Sequence, residues 1–253
     1  MLYDLTNVPT IPTEHLSLFA SLPNKLLGID TDTKTIKGTE FGVATGIMYL
    51  SPAKSSGTNV CPMAEIARCK EPCLNTAGRG RYSRVQAARL RKTLFWLQYP
   101  TQFKVLVRKE LNRLLRYASK RNLLPACRLN GTSDIRWENY IWPLMSEYAA
   151  KGVHFYDYTK IPNRHIPDPH IYDLTFSYSG VPDFQRYVTK AMVNKSRLAV
   201  VFRDKDKIPD TFKGMPVING DVSDIRFREP QGVVVALYAK GKAKYDTSGF
   251  VVD

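Results

Sequence analysis

The spacing of apolar residues changes several times along the chain, and each change marks an element. Residues 41–50 (FGVATGIMYL) form a nearly continuous apolar run, which predicts a first buried strand. A polar, small-residue loop follows (SPAKSSGTNVCP). Ala87, Leu90, Leu94 and Leu97 then recur at three- and four-residue spacing and predict a helix over 82–98. A second helix is predicted over 102–120, with Phe103, Val107, Leu111, Leu114, Leu115 and Ala118 on one face. Beyond it, strand and helix patterns alternate. Strands are expected at 126–129, 153–159, 172–177, 198–202, 216–219 and 233–238. A helix over 138–150 turns Ile141, Leu144, Met145 and Tyr148 inward and stops at Gly152, and another over 181–194 carries Phe184, Val188 and Ala191 on one face.

Alternation of apolar strands with helices predicts a parallel sheet in an α/β fold. Its expected form is a (β/α) barrel, closed or partly open, with a basic helical segment after the first strand; an open α/β sheet is the alternative. Residues 1–40, with Pro9, Pro12 and Pro23, are expected to be an N-terminal arm, and 41–253 a single domain that includes the basic helices at 79–121. Such folds carry their working groups at the carboxyl ends of the strands. That rim would gather the cysteine loop, Asn130, Ser133, Asp134, Asp157, Lys160, Ser177 and Ser179. Arg203, Asp204, Asp221, Asp224 and Lys240 follow on later strands.

Composition narrows the partner. The chain has 253 residues, 43% of them hydrophobic, enough for a large core and too many for wholesale disorder. No apolar run is long enough to span a membrane, and the N-terminus lacks the pattern of a secretory signal. Four cysteines without a sign of secretion suggest a reducing, cytoplasmic setting. The formal net charge is +14. Thirteen Lys and Arg residues lie between Arg79 and Arg121, opposed there only by Glu110, so that segment alone carries +12. A field of one sign and that size predicts a nucleic-acid partner, DNA first, and no membrane. The expected contacts are Arg79, Arg81, Arg84, Arg89, Arg91, Lys92, Arg108 and Arg203.

Cys61, Cys69 and Cys73 form C-x7-C-x3-C after the first strand, and Cys127 lies beside the second. Three thiols in a half-polar loop near Arg68 and Lys70 suit zinc or a [4Fe-4S] cluster, with Cys127 as a possible fourth ligand. His15, His154, His165 and His170 have no comparable context.

TNVCP at 58–62, the two later cysteines, the Arg-rich helix, NGTSD at 130–134, YTK at 158–160 and the C-terminal NGDVSDIRF and GVVVALYAKG belong together. As an ordered set over roughly residues 40–250 they resemble a bacteriophage protein family named only as a numbered gene product. Phage origin would make the expected cytoplasm that of the host. Members of the family are similar to barrel enzymes of the radical S-adenosylmethionine type, and that likeness would put Thr132, Ser133 and Asp134 at the methionine amine. The usual spacing there is C-x3-C-x2-C, so the present gaps argue against S-adenosylmethionine itself. A looser resemblance is to phage DNA-guanine transglycosylases, which exchange guanine for a 7-deazaguanine using paired aspartates. It implies Asp134, Asp157, Asp221, Asp224 and Lys160 as catalytic groups and a small deazapurine as co-substrate. The favoured reading is therefore a nucleic-acid-modifying enzyme performing base exchange. The alternatives are a cluster-dependent radical enzyme and a non-catalytic DNA-binding protein with structural zinc.

Overall fold

The computed structural model describes residues 22–253. The first part of the expected arm, 1–21, and with it His15, Pro9 and Pro12, lies outside the described residues. Nine strands and five α-helices follow in the order β1(Leu27–Ile29), α1(Thr33–Glu40), β2(Val43–Met48), α2(Ser83–Gln98), α3(Pro100–Ser119), β3(Leu124–Arg128), α4(Glu138–Ala149) and β4(His154–Thr159). Then come β5(Tyr172–Ser177), α5(Gln185–Val193), β6(Leu198–Phe202), β7(Thr211–Phe212), β8(Met215–Asn219) and β9(Val234–Tyr238). Every strand and helix expected from the apolar pattern is present.

The strand order is β1-β2-β3-β4-β5-β6-β9-β8-β7, a mostly parallel, nine-stranded sheet in a mixed α/β fold. It is open, which corrects the closed-barrel expectation in favour of the open alternative. Closure needs full-length strands paired at a constant stagger. Here the order ends in β1, three residues long and antiparallel to β2, and in β7, two residues long and antiparallel to β8. The strands β2 to β6 follow one another in chain order, without the reversal that creates a switch point in a doubly wound sheet. The described part of the expected arm, 22–40, holds β1 and α1. The helix α1 is almost devoid of apolar residues and starts at a reciprocal capping box between Asp32 and Thr35.

The described chain divides into two compact units. One lies within Met1–Cys61 and Arg81–Phe155, the other within Pro62–Gly80 and Tyr156–Asp253. In the first, β2 pairs in parallel with β3 from Val43↔Leu124 to Ile47↔Arg128, and α3 packs on both strands. Its apolar face buries Phe103, Val107, Leu111, Leu114 and Ala118, as the periodicity predicts. Phe103 stacks on Trp137 at 5.7 Å with the rings 7° from parallel, and Trp96 meets Trp137 at 5.2 Å. Each such pair adds about 0.5–1.5 kcal/mol beyond the area it buries. The helix α4 is kinked at Ile141, two residues before Pro143, whose ring and missing N–H disrupt the helical ladder.

The outer edge of β1 is closed by side chains. Glu110, buried on α3, accepts the amides of Leu26 (3.1 Å) and Leu27 (3.0 Å), while Lys92 donates to Leu26 O (2.8 Å) and Arg113 to Leu27 O (2.7 Å). These four backbone groups are satisfied without a further strand, which blunts this edge as a template for pairing.

In the second unit, β5, β6, β9 and β8 are parallel neighbours. Their core gathers Phe176, Phe184, Val188, Leu198, Val200, Phe202 and Val234. The expected helix at 181–194 begins as a 3-10 turn, Pro182–Phe184, and becomes α-helical as α5.

Candidate functional site

In the first unit the carboxyl ends of β2 and β3 carry two loops bound to each other. Asn130 organises the NGTSD turn: its Oδ1 accepts from Ser133 Oγ (2.8 Å), the Ile135 amide (2.9 Å) and Trp137 Nε1 (3.1 Å), and its Nδ2 donates to Ile135 O (2.9 Å). Gly131 lies so close to β2 that a Cβ there would come within 2.8 Å of Met48 O and 2.6 Å of the Tyr49 ring. Thr132 donates to Leu50 O, and the Asp134 amide to Val60 O (2.9 Å). Asp134 is buried at this strand end, next to the loop that holds Cys61.

The Cys61 sulfur accepts the Ala53 amide (3.3 Å) and its thiol points to Thr132 O (3.7 Å). Cys127 is buried within β3. In the second unit the Cys69 thiol lies 3.8 Å from Ala64 O, and Cys73 accepts the Asn75 amide at 3.5 Å, capping a 3-10 turn. None of the four is in a disulfide. Among the described residues no group of three or more His, Cys, Asp and Glu is placed to hold a metal ion. A donor set for zinc or a [4Fe-4S] cluster is therefore not assembled among them.

The other rim residues sit in the second unit, most within internal networks. Asp157 is fully buried and accepts from Tyr172 OH (2.8 Å). Lys160 donates to Ser177 O (3.1 Å), Ser177 Oγ (3.0 Å) and Tyr178 O (3.1 Å), with its ammonium 4.7 Å from the Phe250 ring centre. Those contacts use all three of its N–H donors. Asp221 accepts the Tyr238 amide and the Lys240 ammonium, each at 2.9 Å. Asp224 accepts from Tyr158 OH (3.1 Å) and lies beside Arg226. Arg203 is taken up by the C-terminal segment, through Lys244 O (2.9 Å), Asp246 O (2.7 Å) and the Asp253 carboxylate.

Two arginines without a sequence signal dominate this unit. Arg226, 0% exposed, contacts Tyr158 OH, Gly220 O, Ser223 O, Asp224 and Glu229. Arg197, 1% exposed, holds Asp173, Thr175 Oγ1, Pro230 O and Glu229 O. Burial raises the Glu229 carboxyl above its ordinary value, although both guanidiniums pull it down.

The basic segment divides into inward and outward groups. Arg89 is buried with its guanidinium 4.7 Å from the Tyr49 ring centre, and Lys92 belongs to the β1 clamp, so both depart from the expected nucleic-acid surface. Burial pushes the Lys92 ammonium down to about 8, with Glu110 opposing and Arg89, Arg91 and Arg113 adding to it. Arg91 is half-buried. Arg79, Arg81, Arg84, Lys104, Arg108, Lys109, Arg116, Lys120 and Arg121 are exposed. On α3, the residues Val105, Arg108, Lys109, Asn112 and Arg116 line a shallow, open depression. Arg108 also pairs with Glu147 at 2.6 Å, and Glu147 holds Lys151 at 2.7 Å. The sequence reading counted Lys104, Lys109 and Arg116 in the basic segment without singling them out, and did not name Asn112. Their three- and four-residue spacing opposite the apolar face was the available signal.

Among the described residues no helix is long and apolar enough to cross a membrane. No curated protein and no solved structure matches the chain. A family model described as Gene product 88 matches residues 22–253, nearly the whole sequence, and the chain thus belongs to the phage Gene product 88 family.

Proposed function

We propose that this protein binds nucleic acid, DNA first, through the solvent face of α3 and the cations that follow it. One observation carries the reading. The only acid between Arg79 and Arg121, Glu110, is turned inward onto Leu26, Leu27 and Arg113, while Lys104, Arg108, Lys109, Arg116, Lys120 and Arg121 face water. Such a face attracts a polyanion and displaces its counterions. Action on phage nucleic acid would place the protein in the host cytoplasm.

Base exchange finds less support. A nucleophile at a sugar carbon needs an approachable carboxylate oxygen. Asp157 and Asp224 are buried with tyrosine hydroxyls, Asp221 is tied to Lys240, and Asp134 is buried as well. Ligation of zinc or a cluster by Cys61, Cys69 and Cys73 rests on their spacing, and elemental analysis of anaerobically purified protein tests it.

Fluorescence anisotropy with labelled single-stranded and duplex DNA, titrated over a range of salt, tests the binding proposal. Affinity should fall as salt rises, with a slope of roughly 0.7 to 0.9 per phosphate contact. Replacing Lys104, Lys109, Arg116 and Lys120 with Glu should abolish binding. Absence of binding by the wild-type protein at low salt overturns the proposal, as does full binding by that variant.

A further inference from the structure

The cationic face does not end with α3. The last turn of α4 packs against it through Tyr148, 0% exposed, whose hydroxyl proton is shared between Arg108 O (3.1 Å) and Asn112 Oδ1 (2.8 Å). Beside that ring Glu147 bridges two cations. Its Oε1 accepts from Arg108 Nη1 on α3 (2.6 Å) and from Lys151 Nζ, just beyond α4 (2.7 Å). Arg108 and Lys151 also lie over the Tyr148 ring, at 6.0 and 4.5 Å from its centre. The side chains of Arg108, Glu147 and Lys151 are 50%, 34% and 48% exposed, so the bridge is open to water. Lys151 above all, and Arg108 with it, hold the Glu147 carboxyl below its ordinary value, and it is ionised at neutral pH.

Folding has little use for this carboxylate. An ion pair so exposed contributes little stability, and buried Tyr148 already joins the two helices. Its effect on the surface is larger. It occupies donors of Arg108 and Lys151 that a phosphate oxygen would otherwise take, and it cancels half of their joint charge. Glu110, the acid of α3 itself, is buried on the inner side, whereas Glu147 reaches the outer face from a neighbouring helix. Resting on the nucleic-acid reading above, we propose that the binding face extends from α3 onto the end of α4. Arg108 and Lys151 are its phosphate contacts there, and Glu147 is the internal anion that nucleic acid must displace to reach them. Lys151 is thereby a contact outside the basic segment, and Glu147 holds the affinity of the wild type below what the cations alone would give.

The test repeats the anisotropy titrations, with the same single-stranded and duplex DNA over a range of salt, for wild type, Glu147→Gln and Glu40→Gln. Glu40 is an exposed acid at the end of α1, and its replacement makes the same change in total charge. Glu147→Gln should tighten binding by roughly three- to tenfold, the scale of one or two exposed ion pairs that no longer compete. It should also steepen the salt slope by roughly 0.7 to 0.9 for each cation released. Glu40→Gln should do neither. Arg108→Gln and Lys151→Gln, made singly, should each weaken binding by a larger factor in the Glu147→Gln background than in wild type, a coupling that a bridge serving only the fold would not show. Wild-type binding that Glu147→Gln leaves unchanged overturns the extension onto α4 and leaves the binding proposal intact. An equal gain from Glu40→Gln, or equal losses from Arg108→Gln and Lys151→Gln in both backgrounds, does the same. No binding of either probe by wild type or by Glu147→Gln removes both.

Discussion

The two units use positive charge in opposite ways. In the second, Arg197, Arg203, Arg226 and Lys160 all end on carboxylates, hydroxyls or carbonyls of the same unit. In the first, the outer face of α3 presents a row of cations to water, and the acid of its own segment is on the buried side. A count of Lys and Arg treats these alike. What distinguishes them is the partner: a guanidinium already paired in a low-dielectric interior holds the fold, and one without a neighbouring acid is available to a polyanion.

Variants on either side should therefore separate binding from stability. The largest effect expected is on binding. The four-residue Glu replacement on α3 should cut DNA affinity by at least about a thousandfold at moderate salt while melting changes little, because exposed charges contribute little to folding. Melting curves beside the anisotropy titration show whether the two come apart. Arg226→Met should do the reverse. It strands Asp224 and Glu229 without their shared cation, and urea unfolding should show a loss of about 3–5 kcal/mol, with DNA affinity of the folded fraction kept.

Glu110 tests the inner side of α3. Burial opposes its charge, but the Arg113 contact and the Leu27 and Leu26 amides outweigh that and hold its carboxyl below the usual value. Its stabilisation is thus complete above the unfolded pKa and lost as pH falls through the lower, folded one. Glu110→Gln should cost about 2 kcal/mol at neutral pH, read by urea unfolding, with a smaller gap in acid. Lys92 gives a slope of the same sign in a higher pH window, for a different reason: burial disfavours its charged form. Between about 8 and its ordinary 10.5 the unfolded chain holds a proton that the folded chain has released, so stability rises with pH across that window. The rise should be up to about 2 kcal/mol and should vanish in Lys92→Met, measured by unfolding at the two ends of the window.

The elements were legible where apolar periodicity was long, as in β2, α3 and β6. They were illegible where a partner made them. The strand β1 has three residues and depends on Glu110, Lys92 and Arg113 from distant helices. The helix α1 leaves its one large apolar residue, Ile36, exposed, so its pattern carried no helical stripe and only the cap marked it. Whether the sheet closes depends on its end strands, which are too short to leave a pattern. The site was legible as a basic segment but not as a surface. Arg89 and Lys92 differ from Lys104 and Lys109 only in which side of a helix they occupy. The groups that engage Asp157, Asp224 and Asp221 (Tyr172, Tyr158 and Lys240) come from 15 to 66 residues away, too far for a local pattern to show them.

The comparison between the units is tested most directly by a matched pair of neutralisations, with the salt dependence of DNA binding measured for each. One protein carries Gln at Lys104, Lys109, Arg116 and Lys120; the other carries Gln at Lys190, Lys195, Lys205 and Lys213, exposed lysines of the second unit. Both lose the same net charge. The first should lose roughly 0.7 in slope for each phosphate contact removed, together with most of its affinity, and the second should stay near wild type. Equal losses in the two proteins would mean that total charge alone attracts DNA and that α3 is no binding surface.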